Sequence, residues 1–555
     1  MSMPVKARSR SGEEWFDAVV VGSGFGGSVM AYRLANDGLD VCLLERGRSW
    51  PPGSFPRTPY QFSQALWDPS QGRYGLYDLW SFGGLGALVS SGLGGGSLIY
   101  ANVILPKPRS WFVEKEADGV RPWPITYDDL APHYKAVRPF LGAVEYPLEY
   151  RGGAKTSALV DAAETLGLQP TYPPLAVTFA TPGDEPGKAF GSPADNLHNA
   201  QRYTCRLGGE CDVGCNLGSK NSLDFTYLSR ARGLKIKCLH EVKAFEQYKD
   251  GFRIEVADHS NAEPEEGPRE GPPAWRVVFA KRLILSAGAL GTPYLLLRNR
   301  SAFPRLSPLL GTRFSGNGDF IAFAARSPTA MEPSRGPVIT AAVHIPDRVD
   351  GGKGAGHVIE DGGYPAFLAW VGWMIALPRI AWAGRGTALK LAWNELRDHP
   401  DSNLSGEVGD LLGSPQLAGG TLPMLGMGRE PPQGRMRLRN GLLDVEWSFA
   451  EAKAYFDQVR STVQAIADEL GAEFEDNALW RLNASITVHP LGGCPMGETE
   501  KEGVVSPANG EVHNYKHLHV ADGSVMPGTV GTNPSFTIAA VANRFADAIL
   551  GEPKL

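Results

Sequence analysis

The run FDAVVV (16–21) is short, continuous in apolar residues and rich in β-branched side chains, and it passes directly into Gly22-Ser23-Gly24-Phe25-Gly26-Gly27 and then SVMAYRLANDG. An apolar run closed by glycines predicts a buried strand, and the mixed segment behind it predicts a helix that stops at Gly38. DVCLL (40–44) is a second apolar strand, closed by Glu45-Arg46-Gly47. The chain therefore starts with a βαβ unit. The same strand, glycine, helix rhythm returns at RLILSAGALGTPYLLL (282–297), and HLHVADGSVMPG (517–528) is a further strand running into Asp-Gly. One nucleotide-binding sheet is thus expected to draw on pieces hundreds of residues apart.

Other stretches differ in character: the loop LPKPRSWF (105–112), the Pro-rich YPPLAVTFATPGDEPG from Tyr172, and a polar loop over 258–275 that reads as a surface insertion. No fixed-period repeat is present. At 555 residues the chain is long enough for two domains. The segments 14–110, 200–320 and 480–555 are assigned to the nucleotide-binding domain, and 111–199 and 321–479 to a second domain for substrate.

Charge and cysteine content narrow the function classes. Lys plus Arg is 54 and Asp plus Glu is 60, a net −6, which gives no basic surface for nucleic acid. Six cysteines, with Cys42, Cys238 and Cys494 isolated, do not make a disulfide scaffold. The basic N-terminal MSMPVKARSRSGEEW lacks the apolar stretch of a secretory signal, so the expectation is a cytoplasmic protein.

In Gly22-x-Gly24-x-x-Gly27 the first glycine suits a tight turn, the second a close approach to a pyrophosphate, and the third helix packing. A diphosphate would sit on the helix N-terminus, where free N–H groups and the dipole favour an anion. Glu45, 18 residues after Gly27 at the end of the next strand, is placed to accept from ribose hydroxyls. Two further glycine segments, SSGLGGGSLIYAN (90–102) and VADGSVMPGTVGTNPSFTIAAVANRFADAIL (520–550), favour FAD over NAD. In the latter, Asn533 reads as the N-cap and Pro534 as the first residue of a helix whose positive end could face a flavin.

Taken together, GSGFGG, GLGGGSL, SAGALGTPYLL, HPLGG and GTNPSFTI, in this order, resemble the glucose-methanol-choline (GMC) oxidoreductase family, most closely its bacterial cholesterol oxidase-like branch. The resemblance spans nearly the whole chain. It implies an α/β flavoprotein with a Rossmann-like FAD-binding domain assembled from discontinuous segments and an α+β substrate domain built on an antiparallel sheet. It also implies that His489 of HPLGG and Asn533 of GTNP face the flavin beside the substrate hydroxyl. A histidine suits that place, because an alcohol carbon gives up hydride only as its O–H proton leaves, and imidazole titrates near neutrality.

Carried over residue by residue, the cofactor contacts are Gly22, Gly24, Gly27, Glu45, Gly95, Gly96, Ser97, Asn102, Val242, Ala287, Asp522, Gly523, Asn533 and Pro534. Two departures stand out. Tyr100 occupies the place where relatives often carry an asparagine, with Asn102 two residues later. The glutamate with which cholesterol oxidases move a double bond is expected near Leu417 or Ala418, where no carboxylate stands; Glu360 and Asp361 are charged, but the sequence gives no reason to set either over the flavin.

Cys205-x5-Cys211-x3-Cys215 supplies three thiols where a metal site needs four, unless Cys238 or His240 completes it, so a disulfide or plain buried thiols are expected and no metal is assigned. AFLAWVGWMIAL (366–377) is uncharged, but at about 18 Å as a helix it is too short to span a bilayer. Trp370, Trp373, Trp382 and Trp393 with Arg379, Arg385 and Lys390 suit either a lid at a lipid surface or a buried helix.

The reading is FAD-dependent oxidation of a bulky hydrophobic alcohol, a sterol or other lipid, with oxygen or another electron acceptor and possible peripheral membrane association. The alternatives are a flavin dehydrogenase of long-chain aliphatic alcohols, a relative with non-oxidative or light-driven chemistry on fatty acids, and a dinucleotide-binding regulatory protein without catalysis.

Overall fold

The expected βαβ unit forms as β1 (Trp15–Val21), α1 (Phe25–Asn36) and β2 (Val41–Leu44) in the computed structural model, which describes residues 14–116, 119–260, 273–365, 420–477 and 479–553. The tryptophan-rich segment, the neighbourhood of Leu417 and Ala418, and most of the 258–275 insertion lie outside the described residues. β1 and β2 pair in parallel, Val19 opposite Cys42. Val19, Val20, Cys42 and Leu43 are fully buried, as in a sheet covered on both faces, which explains a continuous rather than alternating apolar pattern.

Beside β1 runs the long strand Ala274–Leu285, parallel to it from Trp15↔Phe279 to Val21↔Leu285. Its first half pairs antiparallel with Gly251–Asp258, and its last three residues pair in parallel with Leu518–Val520. This one strand therefore joins the N-terminal unit, the middle of the chain and the C-terminal motif in a single seven-stranded sheet. The helix Ser535–Leu550 packs on α1 and on the helix Tyr127–Leu141, with Tyr134 and Phe536 rings 4.8 Å apart.

A second hydrophobic core lies on a six-stranded antiparallel sheet, ordered Glu473–Asp476, Phe320–Ala325, Leu422–Gly428, His357–Asp361, Ala342–Ile345 and Pro170–Thr171. The helices Phe449–Glu469 and Ala154–Thr165 cover one face, bringing Phe456, Val459 and Leu159 against Phe320, Met424 and Ile359. Each such side chain contributes about 1.5–3 kcal/mol when fully buried. A three-stranded sheet of Tyr77–Phe82, Leu85–Ser90 and Ser485–Thr487 carries the chain to His489.

Candidate active site

The glycine turn between β1 and α1 is built from close approaches. Gly22 has φ +96°, and a Cβ there would lie 2.3 Å from Ser286 O; one on Gly27 would lie 2.0 Å from Gly22 O, and one on Gly26 1.5 Å from Ala521 O. Gly24 differs, because nothing stands within 4 Å of its Cβ position, and the same is true of Gly96. Gly24 is also the N-cap of α1 and has no side chain to satisfy the first-turn amides. Gly95 (φ +53°) touches this turn, its Cβ position 2.6 Å from Gly24 Cα. The two glycine segments therefore pack against each other at Gly95 and Gly24, with open space left beside the Cβ positions of Gly24 and Gly96.

Glu45 ties this cradle together. It is 5% exposed; its Oε2 accepts from Ser23 N at 3.0 Å and Ser23 Oγ at 2.6 Å, and its Oε1 from Gly47 N at 2.8 Å. Ser23 Oγ also accepts from Gly94 N at 2.9 Å, lacing the second glycine segment to the first. Ser97 is buried and caps the same turn through Gly94 O at 2.7 Å. Asn102 is completely buried with φ +69°, yet neither of its amide atoms makes a hydrogen bond within the described chain. Asp522 accepts from Gly288 N at 2.9 Å and Ser524 N at 2.9 Å, so Ala287, Asp522 and Gly523 form one knot at the end of the sheet. Val242 is buried beside a β-bulge in the strand His240–Tyr248.

Where Leu518–Val520 and the antiparallel sheet meet, His489, Asn533 and Glu360 come together. His489 Nδ1 donates to Asp319 Oδ1 at 2.8 Å, which commits that nitrogen and leaves Nε2 for a ligand. The carboxylates Asp319 and Glu360 hold the imidazolium above its ordinary range, although burial opposes them. Asn533 Nδ2 donates to Glu360 Oε2 at 3.2 Å, and Asn533 Oδ1 and Glu360 Oε1 have no partner in the described chain. Glu360 is completely buried, and burial pushes its carboxyl up to about 8.

One expectation changes here. Asn533 does not cap the last helix: that helix spans Ser535–Leu550 with Pro534 at its N-cap and no side-chain cap, because the Asn533 amide is turned to Glu360. The neighbourhood of Leu417 and Ala418 lies outside the described residues, and the carboxylate that stands beside Asn533 is that of Glu360. Sheet pairing brings the strand His357–Asp361 to this place, Glu360 lying opposite Leu425. Strand alternation then sends Glu360 to the site and Asp361 away from it, to the buried Lys155 and the Thr340 and Ala341 amides.

The GMC oxidoreductase family model matches residues 431–542, and a NAD(P)-binding Rossmann-like domain model matches residues 20–53. A cholesterol oxidase of Mycobacterium tuberculosis is 28% identical over 550 residues, covering 96% of this chain and 90% of the relative. A cholesterol oxidase of Acinetobacter baumannii is 27% identical over 551 residues, with 95% and 93% covered. The C-terminal segment of the chain is thus that of a GMC oxidoreductase, and the whole chain is similar to cholesterol oxidases. A long-chain-alcohol oxidase of Arabidopsis thaliana is 25% identical, with 97% of this chain and 68% of the relative covered. The solved formate oxidase of Aspergillus oryzae shares the fold at TM-score 0.61 and 14% identity, covering 97% and 98% of the two chains.

The chain is an enzyme acting on CH–OH groups, and its cofactor is FAD. The residues present fit that group. An uncapped helix start, open space above Gly24 and Gly96, and a buried Asn102 with both amide atoms unpartnered suit a diphosphate-bearing ligand running from the glycine turn toward His489. All six cysteines are free thiols. Burial raises Cys211 to about 11 and pushes Cys205 up further, so these two stay thiols rather than thiolates, and no disulfide joins the cluster. Glu511, His517 and His519 form a further group, set at the opposite end of Leu518–Val520 with the Arg282 charge bearing on both imidazoles.

Proposed function

We propose that this chain is a GMC oxidoreductase that oxidises the hydroxyl of a bulky hydrophobic alcohol, a sterol or another lipid, to a carbonyl. The observation that carries the reading is the convergence of His489, Asn533 and Glu360 in one buried corner. FAD, when bound, supplies the hydride acceptor, with oxygen or another carrier taking the electrons onward. His489 Nε2 takes the hydroxyl proton as the C=O bond forms, and Asn533 Oδ1 and Nδ2 orient the oxygen and the Glu360 carboxyl. Gly22, Gly24, Gly27, Gly95, Gly96, Ser97 and Asn102 hold the diphosphate end, and Glu45 keeps acceptor capacity on Oε1 for a ribose hydroxyl.

Glu360 favours a sterol over a simple aliphatic alcohol. A ketone next to a β,γ-double bond has an acidic proton to move, and Glu360 is a second proton carrier beside the first. Oxidation of a long-chain alcohol, suggested by the Arabidopsis relative, leaves that carboxyl without a task. Val488, next to His489, is 44% exposed, and Leu79 on the adjoining sheet is 62% exposed, an apolar rim suited to a lipid substrate and to peripheral contact with a lipid surface. Among the described residues no helix is long and apolar enough to cross a membrane.

The test is anaerobic flavin bleaching with a 3-hydroxy-5-ene sterol, its saturated counterpart, a long-chain primary alcohol and a short one. Both sterols should bleach the flavin fastest, and the unsaturated one should yield the conjugated ketone. Glu360→Gln should stop at the unconjugated ketone. Faster bleaching by the primary alcohol than by either sterol would overturn the assignment of substrate class.

A further inference from the structure

We propose that the turn 315–319 sets the geometry of both reactive residues, with Asp319 the positioning residue that fixes the tautomer of His489. The inference rests on the reading of His489 as the proton acceptor. Neither Asp319 nor its turn belongs to a motif that the sequence marked, and the matched family segments, 20–53 and 431–542, both exclude it.

The turn SGNGD is held from behind by Glu430, whose Oε2 accepts from Ser315 Oγ at 2.8 Å, Gly316 N at 3.1 Å and Gly318 N at 3.0 Å. Its two side chains then reach in different directions. Asn317 accepts from Gly531 N at 2.8 Å and donates to Thr532 O at 3.0 Å, clamping the segment that ends in Asn533. Asp319 clamps the segment that carries His489: Oδ2 accepts from Thr487 Oγ1 at 3.0 Å, Val488 N at 2.8 Å and His489 N at 3.2 Å, while Oδ1 accepts from the ring Nδ1–H at 2.8 Å. Asp319 is 3% exposed, so this carboxylate has few ways to reorient.

With Nδ1–H donated to a carboxylate, Nε2 carries the lone pair, the form a base needs, and the same carboxylate stabilises the imidazolium that forms on proton transfer. The titratable groups bearing on the ring are Asp319 and Glu360, with Glu430 behind the turn. Asp319→Asn is nearly isosteric and chemically decisive. Two backbone N–H groups hold the Oδ2 side, so the amide must keep its oxygen there and turn its NH2 toward Nδ1. Nδ1 then has to accept, the proton moves to Nε2, and the base is lost.

The experiment uses the FAD-loaded enzyme in three variants, Asp319→Asn, Asn317→Gly and His489→Ala. Glycine is chosen at 317 because the residue has φ +58°, which alanine would strain. Flavin reduction by the best sterol is followed against pH, and the His489 ring is titrated separately by NMR of histidine-labelled protein. Asp319→Asn should retain FAD, slow reduction by about 10²- to 10⁴-fold, and move the ring titration and the acidic limb of the rate profile to lower pH. Asn317→Gly should slow reduction without moving the ring titration. Wild-type ring titration and rate in Asp319→Asn would overturn the inference. A wild-type rate in His489→Ala would overturn the reading of His489 as base, and the NMR titration would still decide whether Asp319 controls the ring.

Discussion

Replacing Glu360 by Gln removes an ionisable group from a fully buried position while keeping the acceptor that Asn533 Nδ2 uses. Desolvation raises the Glu360 carboxyl from its ordinary 4.5 to about 8; the Asn533 hydrogen bond and His489 pull it back in part, and Asp361 and Asp319 push it further up. The folded value exceeds the unfolded one, so between these limits the native state holds a proton that the unfolded chain has released. Stability therefore falls as pH rises from about 4.5 to about 8, and the loss is complete above that range. At about 1.4 kcal/mol per decade, the displacement is worth on the order of 5 kcal/mol. Gln does not titrate. The variant should gain on the wild type by about 3 to 4 kcal/mol between pH 5 and pH 8, read from denaturant or thermal melts of both proteins at equal FAD loading. A difference that stays constant with pH, or a wild type that gains on the variant, would refute the assignment of a neutral carboxyl at this position.

Two contrasts test the scaffold. Gly26→Ala forces a Cβ to 1.5 Å from Ala521 O and should cost folded yield, whereas Gly24→Ala meets no protein atom within 4 Å and should leave the melt of FAD-free protein unchanged while lowering bound FAD, measured by the flavin-to-protein absorbance ratio. Glu430→Gln can aim its carbonyl either at the 315–319 amides or at Trp447 Nε1, which Glu430 now holds at 2.6 Å, so one buried donor is orphaned. A loss of about 1–3 kcal/mol is expected in melts, and unchanged stability would count against the turn's dependence on this carboxylate.

The parts legible in the sequence were those whose signal is local. β1, α1 and β2 announce themselves through an apolar run, glycine spacing and a Glu at the next strand end, and each of those features is read within 30 residues. His489 and Asn533 carried a motif, so both could be named from the sequence, but their bonding could not. Asn533 followed by Pro534 has the local look of a cap, and tertiary contact with Glu360 overrode it. Glu360 itself sits in VIEDGG, whose alternation says that two acidic neighbours face opposite ways but not which face meets the cofactor. Asp319 was silent for a related reason: a Gly-Asn-Gly-Asp turn reads as an ordinary loop until the chain 170 residues later folds back onto it.

The proposed reactive corner is assembled from four segments: the turn 315–319, the strand His357–Asp361, residues 487–489 and residues 531–533. Each comes from a different element, so no single stretch of chain can misplace all of the groups at once, yet the arrangement needs something to keep the segments in register. The hydrogen bonds supply it in a fixed order. Glu430 shapes the turn, the turn's Asn317 and Asp319 hold the segments of Asn533 and His489, and Asn533 reaches Glu360 across the remaining gap. Errors should propagate in that direction. A change at Glu430 should disturb both His489 and Asn533, whereas a change at Glu360 should leave the His489–Asp319 pair in place and alter chiefly the proton that Glu360 would carry.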